Sequence, residues 1–460
     1  MSSGKRKGCV IMRKLQKKGM ALGLALACLG FFGLDRAAQA AAPDSGGQSR
    51  AARPAVQKVV SVARVYGDGE KVAEAVLQYR RPLDPDSVQT GDFTVEGHAV
   101  TDVAVNREPY FTGSSRPGRF VILKLATENT ADEQGMAEKP QGEPGKEPAF
   151  HPDASHHSDL TEPDLAVAVR QVGEVTTVRG RMLGPSQRVY RSTETRKPDV
   201  DVFTQYQFKD PVTGVTMPYN LYLPTGYQPD RKYPLVFFVP DMGVNNNDTT
   251  APLYQGNGAT VFASPERQRK DPAIVLAPQY TDRLVGQLGL LTDDTYTWTQ
   301  GLGVVSRLLF HVLDNYNVDR TRVYGTGQSQ GGMTNIALSD RYPDLFAAQY
   351  LVACQWNVDE MKGLKDKKLW ITVCEGDTKA YPGMNAATAE WEKLGTAVAR
   401  NKQPWDAKAP AAQLDREARE LAAQGAPINY TVFAGGNHRY TWSFAYNIPF
   451  ILDWMFAQHG

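Results

Sequence analysis

The sequence is 460 residues long, 42% hydrophobic and 22% charged, which is ordinary for a globular protein with material for a large core. Lys and Arg number 51 against 50 Asp and Glu, a net charge of +1, so no strongly basic surface is on offer and no nucleic-acid partner is expected. The length exceeds one typical domain and points to two folding units plus extras.

A basic start (Lys5, Arg6, Lys7, Arg13, Lys14, Lys17, Lys18) runs into an apolar stretch from Met20 to Leu34, and Ala38-Gln39-Ala40 supplies the small residues that a signal peptidase reads. The apolar run is short for a membrane span. Residues 1–40 therefore read as a signal peptide cleaved after Ala40, with the mature chain secreted, periplasmic or in the cell envelope and holding no stable membrane span. Cys28 raises a lipid-anchor alternative, but Ala25 stands where the bacterial pattern has Leu. Cleavage leaves Cys354 and Cys374, too few to staple a scaffold.

Residues 41–53 read as a flexible leader. From Val56 to about Tyr190 the text turns to β-rich runs separated by turns: Val56 to Val65, Val72 to Tyr79, Phe93 to Val105, Phe120 to Leu125, Leu165 to Val172 and Val175 to Arg181. This pattern predicts a small all-β sandwich over 54–200. Within it, about 128–163 is rich in Glu, Lys, Pro and Gly and reads as a disordered, solvated insert. His151, His156 and His157 lie there with Asp153 and Asp159, but their spacing fits no zinc pattern, and no metal or other cofactor is expected.

From 201 to 460 apolar strand candidates (Leu235 to Val239, Ala273 to Ala277, Thr321 to Tyr324, Ala347 to Ala353, Leu369 to Cys374, Ile428 to Phe433) alternate with helical stretches at Trp298 to Asn315, Met333 to Tyr342, Ala387 to Ala399 and Ile448 to Gln458. Such alternation predicts an α/β fold, a mostly parallel sheet with helices on both faces and its ligand site at the strand C-terminal ends. Trp391 and Trp405 fall in an Ala-, Lys- and Glu-rich segment, Asn385 to Gln424, that reads either as helices packed on the sheet or as a cap over the site.

Thr321 to Tyr324 leads into Gly327-Gln328-Ser329-Gln330-Gly331 and then a helix, a setting in which a serine nucleophile stands on a strained strand-to-helix turn. A serine hydroxyl needs a base to take its proton, and partners on this architecture follow in the order Ser, Asp or Glu, His. After Ser329 come two histidines, and His459 is penultimate, which leaves His438. The carboxylate is expected just past Leu369 to Cys374, where Asp377 follows Gly376 and Glu375 stands in reserve. Oxyanion donors are expected from the N–H of Gln330 and from Pro240-Asp241-Met242-Gly243, where Pro240 has no N–H and Met242 is assigned, with Gly243 as its alternate.

Met217 to Pro224, Tyr233 to Val236, the Gly327 to Gly332 turn, Asn437-His438 and Ala445 to Trp454 together resemble bacterial α/β-hydrolases of the prolyl-oligopeptidase-like esterase and peptidase kind. The first domain resembles the immunoglobulin-like module that precedes the catalytic domain in some esterases of that group. One departure is Pro240-Asp241, where such proteins usually carry His-Gly. The resemblance implies ester hydrolysis through an acyl-enzyme on Ser329, a small-molecule ester as partner, and short acyl or aryl esters favoured over peptides; Gln355, Trp356 and Tyr381, expected on the loops after the strand that leads to Asp377 and its neighbour, read either as pocket lining or as ordinary core and rim residues. It also sets Cys354 and Cys374 on neighbouring strands, which leaves a disulfide between them open. A peptidase and a non-catalytic surface binding protein are the competing readings, and the oligomeric state is left undetermined.

Overall fold

The computed structural model describes residues 54–129 and 160–460. The leader, the cleavage site after Ala40 and the histidines of the insert lie outside the described residues.

The first domain is built from β1 (Val56–Tyr66), β2 (Gly69–Leu83), β3 (Phe93–Val95), β4 (Val100–Asn106), β5 (Gly118–Leu125), β6 (Ala168–Gln171) and the short pieces β7 (Val175–Thr176), β8 (Met182–Leu183), β9 (Tyr190–Arg191) and β10 (Thr195–Arg196). A sheet ordered β10-β1-β2-β5-β4 faces the smaller β3-β6-β9 sheet. Alternation along the strands turns Val59, Leu77, Tyr79, Val121 and Leu123 into the shared core with Val95 and Val169, while Val76 and Ile122 pack on the opposite face. The run from Phe93 to Val105, expected as one strand, is two. Gly97, at φ 73°, reverses the chain between them, and the halves join different sheets.

The second domain holds β11 (Thr204–Lys209), β12 (Thr216–Tyr222), β13 (Tyr233–Val239), β14 (Ile274–Pro278), β15 (Val318–Gln328), β16 (Ala348–Val352), β17 (Leu369–Cys374), β18 (Val398–Arg400) and β19 (Ile428–Phe433), ordered β11-β12-β14-β13-β15-β16-β17-β19-β18. Pairing is parallel from β14 to β18, and β11 and β12 are added antiparallel. Buried on both faces, β13 and β17 are wholly apolar or aromatic but for Pro234 and Thr372. One face carries the helices Gln300–Asn315, Gln330–Arg341 and Ala380–Lys393, through Leu302, Ile336 and Trp391. The other carries Ala411–Ala422, His438–Ala445 and Pro449–Phe456, through Leu414, Trp442 and Ile451. The expected α/β architecture with an all-β domain ahead of it is the one observed.

Several expected boundaries moved for local reasons. The helix placed at Ala387 to Ala399 spans Ala380–Lys393. The carboxylate of Asp377 accepts from the N–H groups of Lys379 and Ala380 and starts it early, while Gly395, at φ 89°, stops it before Val398–Arg400 becomes a sheet edge. Asn385 to Gln424 is no cap: its helix Ala411–Ala422 packs Leu414, Ala418 and Leu421 onto the sheet. Cys354 and Cys374 are both free, because they lie in the cores on opposite faces of the sheet and their side chains diverge.

The two domains meet closely. A Cβ on Gly67, at the β1–β2 turn, would stand 1.9 Å from the Ser443 carbonyl oxygen, so only glycine fits there, and Lys197 Nζ, paired within its own domain to buried Glu70, lies 5.7 Å from the centre of the Tyr254 ring of the second domain. Within the second domain, Arg307 grips Asp210 with two bonds, Nε at 2.5 Å and Nη2 at 2.9 Å, tying the end of β11 to the helix Gln300–Asn315. Burial by itself would raise the Asp210 carboxyl, but the bonds from Arg307 and Thr213 outweigh it and hold the group at about 2. A carboxyl whose pKa is lower folded than unfolded stabilises fully above its unfolded value. The contribution of Asp210 is therefore present above about pH 4 and lost as pH falls toward 2. Arg307→Ala strands this carboxylate and is expected to cost roughly 3 kcal/mol in urea unfolding at pH 7, with a smaller difference from wild type at pH 2.5.

Candidate active site

Ser329 sits between the end of β15 and the helix Gln330–Arg341, at φ 52° and ψ −121°. That region costs a non-glycine residue about 1–3 kcal/mol, and packing holds it there: the Ser329 N–H donates to the Val352 carbonyl at 3.0 Å. Glycines on either side are required by space. A Cβ on Gly327 would lie 2.5 Å from the Val239 carbonyl oxygen, and one on Gly331 would lie 1.8 Å from the same atom. The helix thus begins at Gln330, earlier than the Met333 expected from the sequence.

His438 is the first residue of the helix His438–Ala445, capped by the Asn437 side chain accepting from the Tyr440 N–H. Gly435 and Gly436, at φ 58° and 67°, bring the chain from β19 to that helix within reach of the serine. His438 Nε2 lies 2.8 Å from Ser329 Oγ, and Nδ1 lies 2.6 Å from Asp377 Oδ2. The Asp377 side chain is 2% exposed. Burial pulls its carboxyl upward, but the hydrogen bond and charge of His438 and the N–H groups of Ala380 and Lys379 together hold it below the usual carboxylate value. An ionised carboxylate only accepts, so Nδ1 carries the proton and the Nε2 lone pair faces the serine hydroxyl. The edge-on ring of Trp442, 5.1 Å from the imidazole, supports its orientation. Glu375, the reserve acid, turns instead to the N–H of Gly435 at 3.0 Å.

These residues open on a cavity of about 480 Å³ lined by Met242, Gln330, Met333 and Gln355 around Ser329 and His438, with Thr292, Asp293, Asp294 and Lys379 at its polar side. Gln355 is thus where the sequence placed it. Trp356 and Tyr381 are not on the cavity wall. Trp356 is buried with its ring edge-on to Tyr296 and its indole N–H on Glu360, and Tyr381 packs against the core. Two contributors went unread in the sequence. Met333 is one helical turn after Ser329, a spacing that signals a shared face. The Thr292 to Asp294 loop has no such signal and arrives only through the fold, where Asp294 pairs with Lys379 at 2.5 Å. The neighbouring thiols are poor nucleophiles: burial pushes Cys374 up to about 12 and Cys354 higher. Among the described residues, no group of three or more His, Cys, Asp or Glu is arranged to hold a metal ion, and no helix is long and apolar enough to cross a membrane.

Gly331→Ala drives a methyl group into the Val239 carbonyl and is expected to lower stability by about 3 kcal/mol or prevent folding, whereas Gly286→Ala, in open space within the helix Asp282–Leu288, is expected to hold stability or raise it slightly; thermal melting of the two variants compares them.

Residues 58–184 match the family model of the esterase Ig-like N-terminal domain. A solved thermostable esterase superposes with a TM-score of 0.66 at 24% identity, covering 88% of this chain and all of that one. Feruloyl esterase B of Thermothelomyces thermophilus is 36% identical over 81 residues, a stretch of 17% of this chain and 28% of that protein, so the match spans well under half of the curated relative. The first domain thus matches in sequence the Ig-like domain that stands N-terminal in esterases, and the chain as a whole shares the fold of that solved esterase.

Proposed function

We propose that the protein is an exported serine hydrolase that cleaves carboxylic esters through an acyl-enzyme on Ser329. The observation that carries this reading is the unbroken chain from Ser329 Oγ to His438 Nε2 at 2.8 Å and from His438 Nδ1 to Asp377 Oδ2 at 2.6 Å. Ser329 attacks the ester carbonyl while His438 takes its proton, and buried, ionised Asp377 stabilises the imidazolium that forms. The N–H groups of Met242 and Gln330 face the oxyanion. Collapse of the tetrahedral intermediate returns the proton through His438 to the departing alkoxide. Water, deprotonated by the same imidazole, then attacks the acyl-enzyme and releases the acid and Ser329.

Cavity size and lining favour a small acyl group. Met242 and Met333 offer polarizable thioethers to a short chain or a ring, in keeping with a curated relative named as a feruloyl esterase. The basic and apolar start of the chain and Ala38-Gln39-Ala40 support export with cleavage after Ala40.

A fluorophosphonate probe is expected to label the wild type and not Ser329→Ala, and that variant is expected to lose about three orders of magnitude or more in nitrophenyl ester hydrolysis with an unchanged melting temperature. Absence of both labelling and ester turnover in wild type would end this reading, and faster turnover of amino-acyl amides than of esters would convert it to a peptidase. Protein recovered from the medium or the periplasm is expected to begin at Ala41 on N-terminal sequencing.

A further inference from the structure

The two residues that flank Ser329 are both glutamines, and both are fastened to the same loop. Gln330 and Asn245 exchange reciprocal amide bonds, Nδ2 to Oε1 and Nε2 to Oδ1, each 3.3 Å, with both side chains buried. On the other side of the nucleophile, Gln328 Nε2 reaches Asp241 Oδ2 at 3.4 Å and Gln255 Oε1 at 2.9 Å. The remaining oxygen of Asp241 accepts from the Gly243 N–H at 2.8 Å. The loop then closes on itself, the N–H groups of Val244 and Asn245 donating to the carbonyls of Asp241 and Met242. Of the four residues from Met242 to Asn245, three commit their N–H groups inside the loop, and Met242 is the one on the cavity wall. Buried Gln279 supports the loop from below, donating to the carbonyls of Val244 and Asn246 at 2.9 Å each.

We propose that Asp241 and Asn245 are positioning residues which, by gripping the side chains on both sides of Ser329, set the distance between the Met242 and Gln330 N–H groups. The inference rests on the reading of those groups as oxyanion donors and adds how their spacing is held. The departure at Pro240-Asp241 acquires a role in this way. The carboxylate withdraws the Gly243 N–H from the cavity and leaves Met242 as the loop's donor, and any side chain at 243 would collide with it, since a Cβ there would lie 2.8 Å from Asp241 Oδ1. A donor pair matters for rate only when it is fixed before the charge develops, because donors that must first reorient give back what they contribute. Loosening the clamp therefore costs the transition state and not the ground state.

The test uses the full chain as Asp241→Ala, Asp241→Asn and Asn245→Ala, with nitrophenyl ester kinetics, inhibition by an alkylboronic acid that forms a tetrahedral adduct on serine, and inhibition by the matching carboxylate product. Asp241→Ala and Asn245→Ala are expected to lower kcat about tenfold or more with KM within about twofold, and to weaken the boronic acid in proportion while carboxylate inhibition holds. Asp241→Asn keeps an oxygen for the Gly243 N–H but sets an amide N–H group against the Gln328 Nε2 donor, so it is expected to recover kcat only in part, between Asp241→Ala and wild type. If Asp241→Ala does not fold, Asn245→Ala carries the same comparison. Folded alanine variants with kcat within about twofold of wild type, or kcat losses without weaker boronic acid binding, would overturn the clamp. Failure of wild type to take a fluorophosphonate would instead defeat the reading of Ser329 itself.

Discussion

The Val239 carbonyl, at the C-terminal end of β13, occupies the space that a side chain at Gly327 or Gly331 would need. The turn at Ser329 is built around that near-contact. Parallel pairing of β13 with β15 brings the turn at Ser329 against the end of β13, and the helix Gln330–Arg341 must leave at once in the opposite direction. The serine is left at φ 52°, a strained conformation that β16 holds through the Ser329 N–H and the Val352 carbonyl. Local strain of this kind is sustained by the large apolar cores on both faces of the sheet.

A second constraint is electrostatic. Asp377 is buried, and a buried carboxylate is costly unless its lone pairs are occupied. Here one oxygen takes two backbone N–H groups at the start of the helix Ala380–Lys393 and the other takes His438. The same bonds that make burial tolerable fix the imidazole tautomer and begin a helix. Structure and chemistry are served by one set of contacts, which is why the acid, the helix start and the direction of the histidine ring cannot be changed separately.

The Ig-like domain is part of this packing. Its β1–β2 turn abuts Ser443 in the helix that begins with His438, and Asn129 donates to the same Ser443 carbonyl at 3.3 Å. Lys197, near the junction, reaches Glu70 of β2 and lies over the ring of Tyr254, which belongs to the segment following the Met242 loop. Contacts from the sandwich therefore fall on the two segments of the larger domain that lead to the histidine and to the loop beside the serine.

Much of this was legible in the sequence because it is local. Alternating apolar strands and helices fix the α/β class, since a strand buried on both faces must be apolar throughout. Gly-Gln-Ser-Gln-Gly between a strand and a helix marks Ser329, and the chain order of the remaining acids and histidines leads to Asp377 and His438, which the structure brings into one hydrogen-bonded line. What the sequence left unresolved depends on direction and distance in three dimensions. Cys354 and Cys374 end neighbouring strands, yet side chains on a sheet alternate between faces, and these two point to opposite cores. Trp356 follows Gln355 and Tyr381 stands in the first turn of the helix Ala380–Lys393, but their rings pack against the core, and the Thr292 to Asp294 loop reaches the cavity from a part of the chain with no local mark. Short-range pattern determined which elements form and which residues stand at their ends. Only the tertiary structure decided which of those side chains share a cavity, because that depends on the register and facing of strands far apart in the chain.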